Sequence, residues 1–117
     1  MDLDSAIQKH AEWKMKFRSA IAKQESLDVA TIAKDNCCDL GKWLHGEGKS
    51  QYGSLGSHAD CLVQHAKFHV EAGRVAQAIN AKKYADAENM MGSGTPYSTA
   101  SNVVASAIMK LKKEARL

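Results

Sequence analysis

The chain has 117 residues, of which 44% are hydrophobic and 25% are charged, and its formal net charge is +3. This length predicts a single globular domain spanning residues 1–117, and the abundance of Ala, Lys and Glu favours helices over sheets. No apolar run is long enough to cross a membrane, and no basic cluster is typical of nucleic-acid binding, so neither role is expected. The first residues lack the features of a secretory signal peptide, which favours a cytoplasmic location.

The N-terminal half of the chain predicts two helices and a loop. Apolar residues at helical spacing predict a long first helix over Leu3–Lys23, with His10 on the same face as the core side chains. Ser26 is the predicted N-cap of a short second helix, with Asp28 in its first turn. Glycines and serines between positions 45 and 56 predict a surface loop.

The C-terminal half predicts three further helices. The longest begins at Ser57, because Ser57 and Asp60 have the spacing of a capping box ahead of an apolar run. A short helix follows over Tyr84–Met91, and Thr95 is predicted to cap the last helix, with Pro96 in its first helical position. Since no segment alternates between apolar and polar residues as strands do, these elements predict an all-α, four-helix-bundle-like domain with short additional helices.

Two histidines one helical turn apart, His65 and His69, lie on the core-facing side of the longest predicted helix. Burying two imidazoles is costly unless their ring nitrogens have partners, and a metal ion meets that need. His10 faces the same core and is the natural third imidazole, although by itself it would indicate a core histidine bonded to a carbonyl group. His45 and His58 are predicted to be surface residues.

The three cysteines, Cys37, Cys38 and Cys61, offer the thiolate that a borderline-soft ion such as zinc accepts alongside imidazole. An odd number of cysteines, two of them adjacent, predicts free thiols in a reducing compartment. Cys61 lies one turn before His65, but helical drift would strain a site in which one ion reaches Cys61, His65 and His69. Cys61 therefore ranks below the other two, and spacing alone does not decide between Cys37 and Cys38.

Three segments, in this order and at these separations, resemble the CZB family, the chemoreceptor zinc-binding domains of bacteria. The segments are His10-x-x-Trp13-Lys14, Cys38-Asp-Leu-Gly-Lys-Trp43 and His65-x-x-x-His69, with Tyr97-Ser-x-Ala-Ser101 also fitting before the last helix. The resemblance covers nearly the whole chain and implies a zinc site of three histidines and one cysteine in a cytoplasmic bundle, usually a homodimer. Carried over by motif, the implied Zn²⁺ ligands are His10, Cys38, His65 and His69.

Four protein ligands would leave no open coordination position, so no enzyme activity is expected. The resemblance implies instead a sensory domain that acts with a chemoreceptor or a diguanylate cyclase, in cis or in trans, in chemotaxis or cyclic-di-GMP signalling. The implied signal is zinc availability or oxidation of the Cys38 thiolate, for example by hypochlorous acid, to a sulfenic acid that binds metal poorly. No methyl-accepting region or cyclase domain accompanies the motifs, so we expect a standalone member or a separate sensor domain.

Two other classes stay open at this point. A structural zinc module would only dimerise its parent protein. A di-iron or oxygen-binding bundle would need carboxylates at ligand spacing, whereas Glu71, the only acid near the histidine pair, is predicted to point to another face.

Residues beside the motifs also allow two interpretations. Trp13 and Trp43 either seal the site from water or are plain core residues. Asp35 and Asp39 either accept hydrogen bonds from imidazole N–H groups or are solvated. Gly41 is expected to let the backbone turn tightly after the thiolate ligand.

Overall fold

In the computed structural model, which describes residues 1–117, the chain forms eight helices and no strands. The helices are α1 (Leu3–Ala11), α2 (Trp13–Lys23), α3 (Val29–Ile32), α4 (Asp39–His45), α5 (Glu47–Tyr52), α6 (Gly56–Asn80), α7 (Tyr84–Met90) and α8 (Pro96–Ala115). The predicted all-α class is confirmed, while the arrangement as a four-helix bundle and the homodimer stay predictions.

Helix α6 is the central element, because α8 runs along it and α2, α3, α4, α5 and α7 also pack on it. The two long helices are antiparallel: Ser57 at the start of α6 bonds to Glu114 near the end of α8. Further along α6, Phe68 packs against Tyr97 at the start of α8, with 5.7 Å between ring centroids. Burial of each large apolar side chain in this core stabilises the fold by about 1.5–3 kcal/mol. The largest fully buried apolar side chains include Phe17, Phe68, Leu40, Leu44, Ile79, Ile108 and Leu111.

The predicted first helix is present, but it is interrupted at Glu12, which separates α1 from α2. Glu12 keeps helical dihedral angles (φ −69°, ψ −17°), so the interruption does not reverse the chain. The carboxylate of Asp2 caps α1 by accepting a hydrogen bond from the Ser5 N–H at 3.1 Å. This cap fixes the start of α1, the helix that carries His10.

The predicted cap of the short helix α3 is wrong. Asp28, not Ser26, is the N-cap, and its carboxylate accepts from the backbone N–H of Thr31 at 3.3 Å and from the Thr31 hydroxyl at 2.7 Å. These hydrogen bonds lower the pKa of Asp28. The three-residue spacing between Asp28 and Thr31 is the local signal for this cap.

The predicted start of α6 is also wrong in detail. The helix begins at Gly56, and its N-cap, Leu55, makes no side-chain hydrogen bond. Instead of capping its own helix, the Ser57 hydroxyl donates to the carboxylate of Glu114 at 2.9 Å. No capping box forms between Ser57 and Asp60, because both side chains are engaged elsewhere.

The prediction of a surface loop over 45–56 is wrong, because residues 47–52 form α5. The side chain of Gln51 donates to Glu47 at 3.1 Å across one helical turn. Tyr52 packs against Trp43 with 6.0 Å between ring centroids, which ties α5 to α4. Of the two roles considered for Trp43, its contacts are those of a packing residue.

The last two helices agree with the sequence. Helix α7 ends at Met90, one residue earlier than predicted. Thr95 caps α8 by accepting from the Ser98 N–H at 3.2 Å, and Pro96 occupies the first helical position, as predicted. None of the eight helices is both long and apolar enough to cross a membrane.

Candidate metal centre

Four side chains from separate parts of the chain converge in the interior. They are His10 of α1, Cys38 immediately before α4, and His65 and His69 of α6. The ligand-type atoms of these residues all lie within 4.8 Å of one another, and no carboxylate belongs to the group. The three imidazoles are buried and Cys38 is half-buried. The structure therefore brings together the four residues that the resemblance implies.

The spacing within this cluster suits a tetrahedral ion. Nε2 of His65 lies 3.1 Å from Nε2 of His10 and 3.0 Å from Nε2 of His69. Sγ of Cys38 lies 3.3 Å, 3.6 Å and 3.9 Å from Nε2 of His65, His69 and His10 respectively. Zinc bonds of about 2.0–2.1 Å to nitrogen and about 2.3 Å to sulfur put tetrahedral ligand atoms about 3.3–3.6 Å apart. These five separations lie within about 0.3 Å of that range, and all four atoms lie within 4.8 Å of one another, so small side-chain shifts would let them hold one ion of this kind.

The second ring nitrogens orient two of the three imidazoles. Nδ1–H of His10 donates to the Ala6 carbonyl at 2.7 Å, and Nδ1–H of His69 donates to the Ile32 carbonyl at 2.8 Å. In that tautomer, each Nε2 presents a lone pair to the cluster. His65 differs, because its Nδ1 is buried and has no hydrogen-bond partner in the protein. A proton on Nε2 of His65 could be shared with only one of the two neighbouring nitrogens at a time, whereas a cation accepts all three lone pairs, so this arrangement favours a metal.

Burial determines the protonation of the cluster. It is the largest cause that lowers the pKa of His10 and His69, and it lowers the pKa of His65 to about 2, with a further contribution from the neighbouring imidazoles. Burial also raises the pKa of the Cys38 thiol, although hydrogen bonds from backbone N–H groups act in the opposite direction. Neutral imidazoles are ready to bind metal, whereas the thiol must first release its proton.

Cys38 reaches the imidazoles because it is the N-cap of α4, and its Sγ accepts a hydrogen bond from the Gly41 N–H at 3.3 Å. A Cβ atom at Gly41 would lie 1.7 Å from the carbonyl oxygen of Asp35. Gly41 is therefore required for the close approach of two backbone segments, not for the tight turn predicted from the sequence. This close approach sets the position of the loop that carries the sulfur.

A second glycine allows α3 to approach α6. A Cβ atom at Gly73 would lie 2.8 Å from Cβ of Ala33. The contact brings the adjacent Ile32 carbonyl within reach of Nδ1 of His69. In the sequence, a small residue one turn after His69 on the same helical face indicates such an approach, but not which segment makes it.

The prediction that His58 is a surface residue is wrong. Only 2% of His58 is exposed, and its Nε2–H donates to the Leu44 carbonyl at 2.9 Å, which joins the last turn of α4 to the start of α6. Its position two helical turns before His65 is the sequence signal for this burial. His45 is exposed as predicted, and its Nε2 lies 2.9 Å from Oδ2 of Asp35.

The other two cysteines lie outside the cluster, and all three cysteines are free. Cys37 Sγ makes only a 3.6 Å contact with Oδ1 of Asn36. Cys61 is fully buried in the core, where burial raises the pKa of its thiol to about 12. The structure thus separates Cys38 from Cys37, which spacing in the sequence leaves unresolved.

A cleft of about 520 Å³ between α1 and the segment before α4 opens onto the cluster. His10 and Cys38 lie in its wall, and Trp13 lines it beside them, so this tryptophan borders the site as one of its two interpretations expects. Lys9 and Asp39, which also line the cleft, form an exposed ion pair at 3.3 Å. Asp39 therefore bonds to a lysine and not to an imidazole of the cluster.

Comparison with models of protein families matches residues 10–76 to the chemoreceptor zinc-binding domain, CZB. The match covers more than half of the chain and includes all four residues of the cluster. The chain belongs to the CZB family. The resemblance seen in the motifs is thus confirmed, and the CZB family is a zinc-binding family of chemoreceptor-type signalling proteins. Searches of curated proteins and of solved structures gave no match to the chain.

Proposed function

We propose that this chain is a regulatory zinc-binding domain, one functional unit over residues 1–117, in which His10, Cys38, His65 and His69 hold a single Zn²⁺ ion. The observation that carries the proposal is the convergence of one sulfur and three imidazole nitrogens within 4.8 Å of one another. Mixed sets of cysteine and histidine are typical of zinc sites. Membership of the CZB family supports zinc over the other metals that such ligands accept.

The proposed role is binding and regulation, without catalysis. Four protein ligands complete a tetrahedral zinc site and leave no position for a reactive water molecule. When bound, the ion links α1, the segment before α4, and α6, which come from distant parts of the sequence. In small zinc modules, such a link contributes about 10–16 kcal/mol of apparent binding free energy to the folded state.

Within this site, we assign Cys38 as the switch and the three imidazoles as the anchor. The imidazoles project from helices and are at most 5% exposed, whereas Cys38 is half-buried, ends a non-helical segment and faces the cleft. A fall in free zinc empties the site by mass action, and oxidation of the Cys38 thiolate to a sulfenic acid removes one ligand. Either event frees the segment before α4 from the histidines.

The proposed output follows the family. A cytoplasmic homodimer passes the change in the segment before α4 to a chemoreceptor or diguanylate cyclase, in cis or in trans, and so to chemotaxis or cyclic-di-GMP signalling.

Elemental analysis of the purified chain tests the assignment of ligands. We expect one zinc per chain, with affinity greatly reduced in Cys38→Ser and little changed in Cys37→Ser and Cys61→Ser. Equal losses in all three variants would refute the role of Cys38. Two irons per chain would replace the proposal with a di-iron bundle.

A structural zinc module is the second candidate, and the deep burial of His65 and His69 favours it, because closed and buried sites often serve stability alone. Chelation and treatment with hypochlorous acid separate the two roles. The regulatory proposal expects a change of helicity or of association state with both treatments. If neither chelation nor hypochlorous acid changes the helicity or the association state, only the structural role remains.

A further inference from the structure

The thiol of Cys37 has no role in the metal centre, yet it lies beside that centre. It lines the same cleft as Cys38 and is half-buried, so both cysteines border the space that a small molecule in the cleft would occupy. Its only contact of hydrogen-bond type is with Oδ1 of Asn36, at 3.6 Å. Cys61, by contrast, is fully buried and reaches neither the cleft nor the cluster.

The backbone at Cys37 itself is not held by hydrogen bonds to other backbone groups. Residues 34–38 lie between α3 and α4 and are not helical. Neither the N–H nor the carbonyl of Cys37 takes part in a backbone–backbone hydrogen bond. The peptide that joins Cys37 to Cys38 can therefore rotate without breaking any hydrogen bond of a helix, since the first such bond of α4 accepts at the Cys38 carbonyl.

We propose that Cys37 is the resolving thiol of the switch, and that oxidised Cys38 condenses with it to form a disulfide between adjacent residues. This inference rests on the proposed oxidation of Cys38. In the first step, the Cys38 thiolate gives two electrons to hypochlorous acid, an S–O bond forms, and chloride leaves. In the second step, the Cys37 sulfur attacks the Cys38 sulfur, the S–S bond forms and the S–O bond breaks. The thiol proton of Cys37 leaves with the hydroxyl group as water.

The geometry of this disulfide makes it suitable for a reversible signal. Adjacent Cα atoms lie about 3.8 Å apart across a trans peptide, closer than the separation of about 4.4–6.8 Å that an unstrained disulfide prefers. A strained disulfide is more easily reduced than a structural one, so cellular thiols restore both cysteines. The disulfide also protects Cys38 from further oxidation to the sulfinic acid, which thiols do not reverse.

Mass spectrometry of the oxidised chain tests the proposal. Full-length zinc-loaded protein is treated with one equivalent of hypochlorous acid and digested without reductant. We expect the wild-type peptide that contains Cys37 and Cys38 to lose two hydrogens, and glutathione to restore both thiols and zinc binding. In Cys37→Ser, which binds zinc before oxidation, Cys38 is expected to proceed to the sulfinic acid and zinc binding should not recover. Cys61→Ala is the matched control and should behave as wild type.

The outcomes separate this inference from the proposed function. A wild-type peptide that carries only sulfenic or sulfinic acid at Cys38 would overturn the role of Cys37 and leave Cys38 as the switch. A disulfide between two chains, seen as a dimer on a non-reducing gel, would also overturn it. Zinc-loaded protein in which hypochlorous acid leaves Cys38 unmodified would overturn this inference and the proposed oxidation of Cys38, but not the binding of zinc. Because the decisive reading is made on wild-type protein, poor folding of a variant does not affect the result.

Discussion

Replacing Gly41 with alanine should weaken zinc binding, although Gly41 is not a ligand. A Cβ atom there would lie 1.7 Å from the carbonyl oxygen and 2.7 Å from the carbonyl carbon of Asp35, both of them backbone atoms. The segment that ends at Cys38 must therefore move by more than about 1 Å before ordinary contact distances return. The sulfur now lies 3.3–3.9 Å from the three Nε2 atoms, so a movement of this size removes it from ligand spacing.

The expected loss follows from the cost of overpacking. Forcing an extra carbon into a packed site costs about 1–3 kcal/mol, and metal-free protein relieves this strain by releasing the loop. Zinc must then restore the strained position, so the Kd for zinc should rise about 5- to 150-fold. Gly56→Ala is the matched control, because no atom lies within 4 Å of the new Cβ. Competition with a chromophoric chelator measures both variants. Equal Kd values for Gly41→Ala, Gly56→Ala and wild type would refute the reasoning.

Three further predictions concern the surroundings of the cluster. His58→Ala should destabilise the protein by about 1–3 kcal/mol in urea, because it leaves the buried Leu44 carbonyl without its donor, whereas exposed His45→Ala should change stability little; equal effects would contradict the assigned bond. Gly73→Ala should push α3 from α6, lengthen the bond from His69 to its carbonyl, and weaken zinc binding, a change that chelator competition would reveal or exclude. In metal-free protein, stability should fall between pH 7.5 and pH 5.5, because the folded-state pKa of His65 is about 2, below its ordinary 6.5. Around and below pH 6.5 the unfolded chain takes up a proton that the folded chain does not. This contribution to stability is therefore complete only well above pH 6.5, and its loss approaches about 1.4 kcal/mol per pH unit as the pH falls further below 6.5. Identical urea curves at the two pH values would contradict this.

Local patterns predicted the elements that carry the histidines. The spacing of apolar residues placed His10, His65 and His69 on core-facing helical surfaces, where the structure has them. Thr95 and Pro96 mark the start of α8 because a cap and a first-turn proline act on their own helix. Signals of this kind depend only on residues a few positions apart, so a sequence displays them directly.

Local sequence patterns do not predict which cysteine faces the imidazoles. Cys37 and Cys38 are adjacent, and which of them faces the imidazoles depends on the dihedral angles at the start of α4, where Cys38 is the N-cap. Only the resemblance of the longer motif to the CZB family favoured Cys38. The same holds for Gly41, because its close neighbour is the backbone carbonyl of Asp35, which no residue pattern specifies.

The features that the sequence does not predict correctly share a physical cause. The acceptors of the Nδ1–H groups of His10 and His69 are backbone carbonyls. Every residue has a backbone carbonyl, so no residue type identifies these acceptors in the sequence. The position of His58 near a helix start predicts a surface residue, but its ring is buried and donates to the carbonyl of Leu44, which belongs to another helix. Glycines favour a loop over 45–56, whereas the packing of Tyr52 on Trp43 of α4 stabilises a helix there.

X-ray absorption spectroscopy at the zinc edge of zinc-loaded protein tests most directly whether His10, Cys38, His65 and His69 together bind one ion. The account predicts one zinc per chain with three nitrogen ligands at about 2.0–2.1 Å and one sulfur ligand at about 2.3 Å, and loss of the sulfur shell in Cys38→Ser. A spectrum with no sulfur at bonding distance, or a sulfur shell that persists in Cys38→Ser, would contradict it.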